Sequence, residues 1–192
     1  MCKLNSRRRN VLIAICCLAL IVVAIIVIHW SVLSPDTRES VADDFLSALY
    51  AVQLDDYEKI LSLSSETPSE GNLPDEHVDG LLEHFLEKYE IFLTDDCFDR
   101  MISNRVFVEP LNNAYEAGCN VAIDKITFIG ESELSDGDRY VMDYTVSTIY
   151  QEPSSADVIG GQTIELQLTV QKRNSSWVIS SFKLISMEDN PK

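Results

Sequence analysis

Beyond residue 33 the chain is poor in basic side chains: residues 34–192 carry 11 Lys+Arg against all 31 Asp+Glu, a net of −20. Such a surface repels phosphates, which excludes nucleic acid as a direct partner and opposes docking onto anionic lipid head groups. Histidine is scarce too, with only His29, His77 and His84. Asp75-x-His77-x-Asp79 has some metal-ligand character but no further spaced ligands, so it reads as a solvated acidic loop and no metal is expected. There is no G-x-S-x-G elbow and no glycine-rich phosphate loop, which removes the common nucleophile and nucleotide signatures. No catalytic residue and no cofactor site is assigned.

What the sequence does have is a long apolar run. Val11–Ile28 is 18 consecutive residues without a charge, Gly, Pro or side-chain amide. At ~1.5 Å per residue it spans roughly 27 Å, and continuing to Leu33 covers a hydrocarbon core of about 30 Å. A cleaved leader would have a shorter apolar region ending in small residues; here the run leads into His29-Trp30-Ser31-Val32-Leu33-Ser34-Pro35 without such a site. Lys3, Arg7, Arg8 and Arg9 precede the span, and Arg38 alone follows closely, so residues 1–10 stay in the cytosol. The reading is a basic tail (1–10), a transmembrane helix (11–33) contacting the bilayer, and an extracytoplasmic domain (34–192) in a single-pass membrane protein.

Ser34-Pro35-Asp36 has the pattern of a helix start, with Ser at the N-cap and Pro in the first position. It implies almost no linker after the span. Val41, Phe45, Leu49 and Val52 then form one apolar stripe. Asp55-Asp56 caps a short helix, residues 64–78 have loop composition, and a third helix carries Leu81, Leu82, Phe85, Tyr89 and Phe92 on one side. Thr94 caps a fourth. Residues 105–119 stay ambiguous between helix and irregular chain. After Cys119 the period becomes two, with strands over Val121–Gly130, Tyr140–Tyr150, Thr163–Val170 and Trp177–Ile185. Helices followed by a four-stranded antiparallel meander make an α+β domain. Alternation sets Asp143 on the solvent face, opposite Tyr140, Met142, Tyr144 and Val146; only a bulge would reverse it.

In the extracytoplasmic domain the cysteines are Cys97 and Cys119 alone. In an oxidising compartment they are a disulfide candidate, closing a loop of about 22 residues that would contribute roughly 3 kcal/mol; the other reading is two buried thiols. Asn174-Ser175-Ser176 is a glycosylation tripeptide at a hairpin tip, or simply a turn.

The order of an amphipathic helix, the short "LDDYEKILSL" helix, further helices, and a meander closed by "SSWVISSFKLI" resembles the NTF2-like (cystatin-like cone) superfamily. It looks most like the membrane-anchored extracytoplasmic members of bacteria. The resemblance covers about residues 36–186 and rests on topology. It implies helices on a curved sheet, with a pocket between them lined by Tyr89, Tyr140, Met142, Tyr144, Val146 and Tyr150. The superfamily holds isomerases and dehydratases as well as binding domains, so the fold leaves both open. Without an inward base, a non-enzymatic binding or assembly module of the cell envelope is expected, with a membrane or envelope protein as partner. The alternative is a small-molecule-binding or isomerase-like pocket.

Overall fold

The computed structural model describes residues 37–64, 75–134 and 137–191. The expected tail, membrane span and Ser34 cap, most of the 64–78 loop, and Ser135-Asp136 of the expected turn lie outside them. Among the described residues no helix is long and apolar enough to cross a membrane.

Thr37, not Ser34, caps the first described helix, α1 (Arg38–Tyr50), with the Ser40 amide donating to Thr37 Oγ1 at 3.1 Å. The Thr37 hydroxyl takes the amide of the third helical residue, a first-turn donor that the helix itself leaves free. α1 buries Val41, Ala42, Phe45, Leu46, Leu49 and Tyr50. Val52 leaves the helical stripe and instead exchanges backbone hydrogen bonds with Val121. α2 (Leu54–Ser64) starts where the Asp56 carboxylate accepts from the Gln53 amide and Asn120 accepts from Leu54 N–H. α3 (Asp75–Tyr89) begins within the expected loop, so Asp75, His77 and Asp79 occupy a helical turn rather than a loop. α4 (Asp95–Ser103) is capped by Thr94 as the sequence predicts, and the ambiguous stretch contains α5 (Glu109–Ala117), with Pro110 in its first turn and Gly118 at φ 62° ending it.

Strands β1 (Asn120–Glu133), β2 (Arg139–Gln151), β3 (Val158–Arg173) and β4 (Ser176–Pro191) form one antiparallel sheet in sequence order. Within it the central pair runs in unbroken register from Arg139↔Gln171 to Tyr150↔Gly160. The edge strands do not: Asp124 and Ile129 on β1, and Ser180 and Ile185 on β4, are extra residues without partners. Bulges of this kind bend a strand and spoil its edge for pairing with another chain. Each edge is also closed at one point, β1 by Val52 at Val121 and β4 by Leu93 at Ile179. The core lies between the inner sheet face (Met142, Tyr144, Val146, Ile164, Leu166, Leu168, Val170) and the helices.

The expected Cys97–Cys119 bond is absent; both are free, buried thiols. Geometry explains it. The Thr94 amide, three residues before Cys97, bonds to Ile179, whose partner Val170 faces Tyr140. Cys119 precedes Asn120, which pairs with Gln151 at the other end of β2. Ten or so strand residues, on the order of 30 Å, separate these ends, whereas a disulfide needs Cα atoms within about 7 Å. Burial pushes both thiols up, so neither is a ready thiolate. Thiol titration of the unfolded chain, with Cys2, Cys16 and Cys17 replaced by Ser, is expected to return two reactive groups without reductant. Zero would contradict this arrangement.

Candidate functional site

The four tyrosines, one methionine and one valine expected around one pocket are dispersed. Met142, Tyr144 and Val146 are fully buried under α1 and belong to the core. Tyr89 is buried as well, its ring stacked on Phe107 at 4.4 Å and its hydroxyl donating to Ala48 O at 3.2 Å. Tyr140 lies at the far end of the sheet beneath the Arg38 guanidinium, 3.7 Å from its ring centroid, with Trp177 edge-on. Arg38 also pairs with Glu131 at 3.1 Å, so this cluster clamps the start of α1 to the sheet. Tyr150 alone of the six lines the cavity beneath α5.

Asp143 stands outward, as alternation predicts, and accepts from Gln167 Nε2 at 2.9 Å. The bulge that would have turned it inward sits across the ladder on β1, at Ile129. The inner face instead carries an orphan: Tyr144 Oη is buried with no hydrogen-bond partner. Burial first, then the charges of Asp43, Glu39 and Glu131, push its phenol above the ordinary range, so it stays neutral. A buried hydroxyl without a partner costs stability. Tyr144→Phe is therefore expected to be neutral or to stabilise by up to about 1 kcal/mol, read by urea unfolding. A loss above that would reveal a hidden partner.

The cavity, about 270 Å³, lies at the opposite end of the sheet, beneath α5. Val121, Ile164, Phe182 and Met187 make it apolar, while Tyr50, Thr148, Tyr150, Gln162, Asn113 and Glu109 contribute polar groups. Thr148 and Gln162 are buried polar residues. Thr148 Oγ1 donates to Gln162 O (3.4 Å), and Gln162 Nε2 to Asp189 (3.1 Å). Burial, and after it the Glu109 charge, push Tyr50 up, so its phenol remains an O–H. The site can hold a small apolar body and hydrogen-bond one polar end, with Glu109 as its lining carboxylate.

Sequence reasoning missed Tyr50, Glu109 and Gln162. The Glu109-Pro110 pair was a usable helix-start signal, but nothing local tied these three positions together. Gly161 precedes the lining residue Gln162, and a Cβ there would collide with the Thr148 carbonyl across the ladder. Gly161→Ala is expected to cost about 1–3 kcal/mol by overpacking, measured by urea unfolding. An unchanged midpoint would show that the strands can separate freely.

A smaller cavity of about 160 Å³ between α2, α3 and α5 is lined by Asp56, His84 and Lys88 among apolar neighbours. Burial, then Lys59 and Lys88, lower the His84 pKa; burial lowers that of Lys88, whose ammonium lies 5.2 Å from the Tyr89 ring centroid. Among the described residues no group of three or more His, Cys, Asp or Glu is placed to hold a metal.

Large apolar side chains also stand in the open. Leu82 (39%) and Leu86 (42%), one helical turn apart on α3, are exposed, and Ile91 (68%) follows just beyond. The third-helix stripe is thus only partly inward: Phe85 and Tyr89 are buried and Leu82 is not.

No protein family and no curated protein is matched by this sequence. Among solved structures the chain is similar to a periplasmic fragment of TraM, at 11% identity and a TM-score of 0.43, over 80% of this chain and 95% of that one. It is also similar to the intermembrane-space region of the chloroplast protein ARC6, at 16% identity and a TM-score of 0.32, over 70% of this chain and 97% of that one.

Proposed function

We propose that this chain is a single-pass membrane protein whose extracytoplasmic domain, built as an NTF2-like cone, is a non-enzymatic binding or assembly module of the cell envelope. The observation that carries the reading is the pairing of a filled sheet centre with exposed Leu82, Leu86 and Ile91. A domain that buries the centre of its sheet yet leaves adjacent leucines on a helix face has the makings of a contact surface. The uncharged run at 11–28 confines that surface to the membrane, raising its effective concentration for other membrane components. The test is photocrosslinking in intact cells from benzoylphenylalanine at Leu86, Ile129 or Ile185. Discrete adducts with one or more envelope proteins support the reading, and uniform absence of adducts at all three positions overturns it.

A second reading is favoured by the cavity beneath α5, where Glu109 and neutral phenols line an apolar space. There the domain would bind a small amphipathic molecule, with Glu109 as hydrogen-bond acceptor or proton acceptor. A ligand that raises the melting temperature of the wild type but not of Glu109→Gln would support it. Indifference of every stabilising ligand to that change would remove it.

A further inference from the structure

The groove between α3 and α4 has a chemistry that selects its occupant. It measures about 470 Å³ and is lined by Leu82, Leu86, Leu93 and Phe98, with Glu83, Glu90, Asp95 and Asp99 around it. Leu93 and Phe98 are buried and form the floor; Leu82 and Leu86 form an exposed wall. Among the described residues no Lys or Arg lines the groove. Arg173 reaches Asp95 only from the side, at 3.7 Å and largely in solvent. We infer that this groove is the docking site for an amphipathic helix of a partner protein, with leucine-like side chains on one face and Lys or Arg flanking them. The inference rests on the assembly reading and names the partner's chemistry.

Three features exclude other occupants. The walls are helices, and between them the Glu90 and Thr94 amides already donate to Leu86 and Ile179, so an extended strand finds no edge to pair with; recognition must be through side chains, as in helix-in-groove binding. Four carboxylates around an apolar floor reward a basic rim and penalise an acidic one. A second copy of this domain would bring a net of −20 against the same rim, and anionic lipid would bring phosphates. Apolar burial at Leu82 and Leu86 then supplies affinity, while the carboxylates supply selectivity and rate of encounter.

The test uses the full chain in nanodiscs of zwitterionic lipid, with empty discs as blank. Two fluorescent model helices of about 15 residues, long enough to be helical when bound, share a leucine face; one carries Lys and Arg elsewhere, the other Glu. The basic helix is expected to bind, to protect α3 and α4 amides from exchange, and to weaken as salt rises. Leu82→Ser with Leu86→Ser should reduce its affinity about tenfold or more. Glu83→Gln, Glu90→Gln and Asp99→Asn together, which leave the apolar floor intact, should do the same and remove most of the salt dependence. Ile129→Ser with Ile185→Ser should change nothing. Equal binding of the two helices, absence of binding, or insensitivity to both groove variants would overturn the inference. Crosslinks in cells from Ile129 or Ile185 but none from Leu86 would leave the assembly reading standing and this groove without its role.

Discussion

Replacing Phe45 by Ala is expected to destabilise the domain by about 3–5 kcal/mol, the usual cost of deleting a fully buried aromatic ring. Phe45 is wholly buried on α1 and meets three rings edge-on: Tyr89 of α3 at 6.2 Å, Phe92 beyond it at 6.2 Å, and Phe182 of β4 at 6.4 Å. One side chain thus joins the first helix to the third helix and to an edge strand. Its loss leaves a void bounded by three rigid rings, which cannot close by rotamer changes alone, and it forfeits edge-to-face contacts that add to burial. Against a total of about 5–15 kcal/mol the loss is severe. For a domain of this size it should lower the melting temperature by roughly 10 °C. Urea unfolding followed by Trp177 fluorescence would measure it, with an unchanged denaturant slope. Leu82→Ser, at an exposed position, should move the midpoint by about 0.5 kcal/mol or less. If the two substitutions cost the same, Phe45 is not the junction described here.

The sheet was legible because its central strands are regular. Alternation over Tyr140–Tyr150 and Thr163–Val170 assigned the faces correctly, since β2 and β3 pair without interruption over those residues. The edge strands run longer than their patterns, β1 to Glu133 and β4 to Pro191, because bulges at Asp124, Ile129, Ser180 and Ile185 reset the parity that alternation reads. Among the helices, the Thr94 cap was legible from local chemistry, and Thr37 was lost to the stronger-looking Ser-Pro pair before it. Leu82 illustrates a limit of helical periodicity: a stripe marks what is apolar, and only the packing partner decides what is buried. The cysteine pairing failed for a related reason. Spacing along the chain bounds a loop's entropy but not the distance between its ends, and here a whole sheet length intervenes. The cavity was invisible because Tyr50, Glu109 and Gln162 are joined only by the closure of α5 over the sheet.

Exchanging charge across the proposed span should invert the protein in the membrane. The variant replaces Lys3, Arg7, Arg8 and Arg9 by Ser or Asn and introduces Lys at Ser34 and Asp36. Orientation follows the excess of Lys and Arg within about 15–20 residues of the span, with acidic residues counting little. In the native sequence that count is four before the span and Arg38 after it, so the numerous carboxylates beyond residue 33 do not set the orientation. After the exchange the count is zero before and three after, which favours the opposite insertion. Cys2 offers a clean readout, because it lies in the proposed tail, while Cys97 and Cys119 are buried in the fold and remain silent to a bulky maleimide. With Cys16 and Cys17 replaced by Ser, a membrane-impermeant maleimide should leave intact cells carrying the native sequence unlabelled at Cys2 and should label the exchanged variant. External protease should show the reverse, cutting the ectodomain only in the native orientation. A cleaved leader would give a third pattern, since the mature chain would lack Cys2 and leave the membrane fraction. Cys2 labelled in the native sequence, or a soluble product without residues 1–33, would remove the anchor from the proposed function and with it the confinement on which assembly depends.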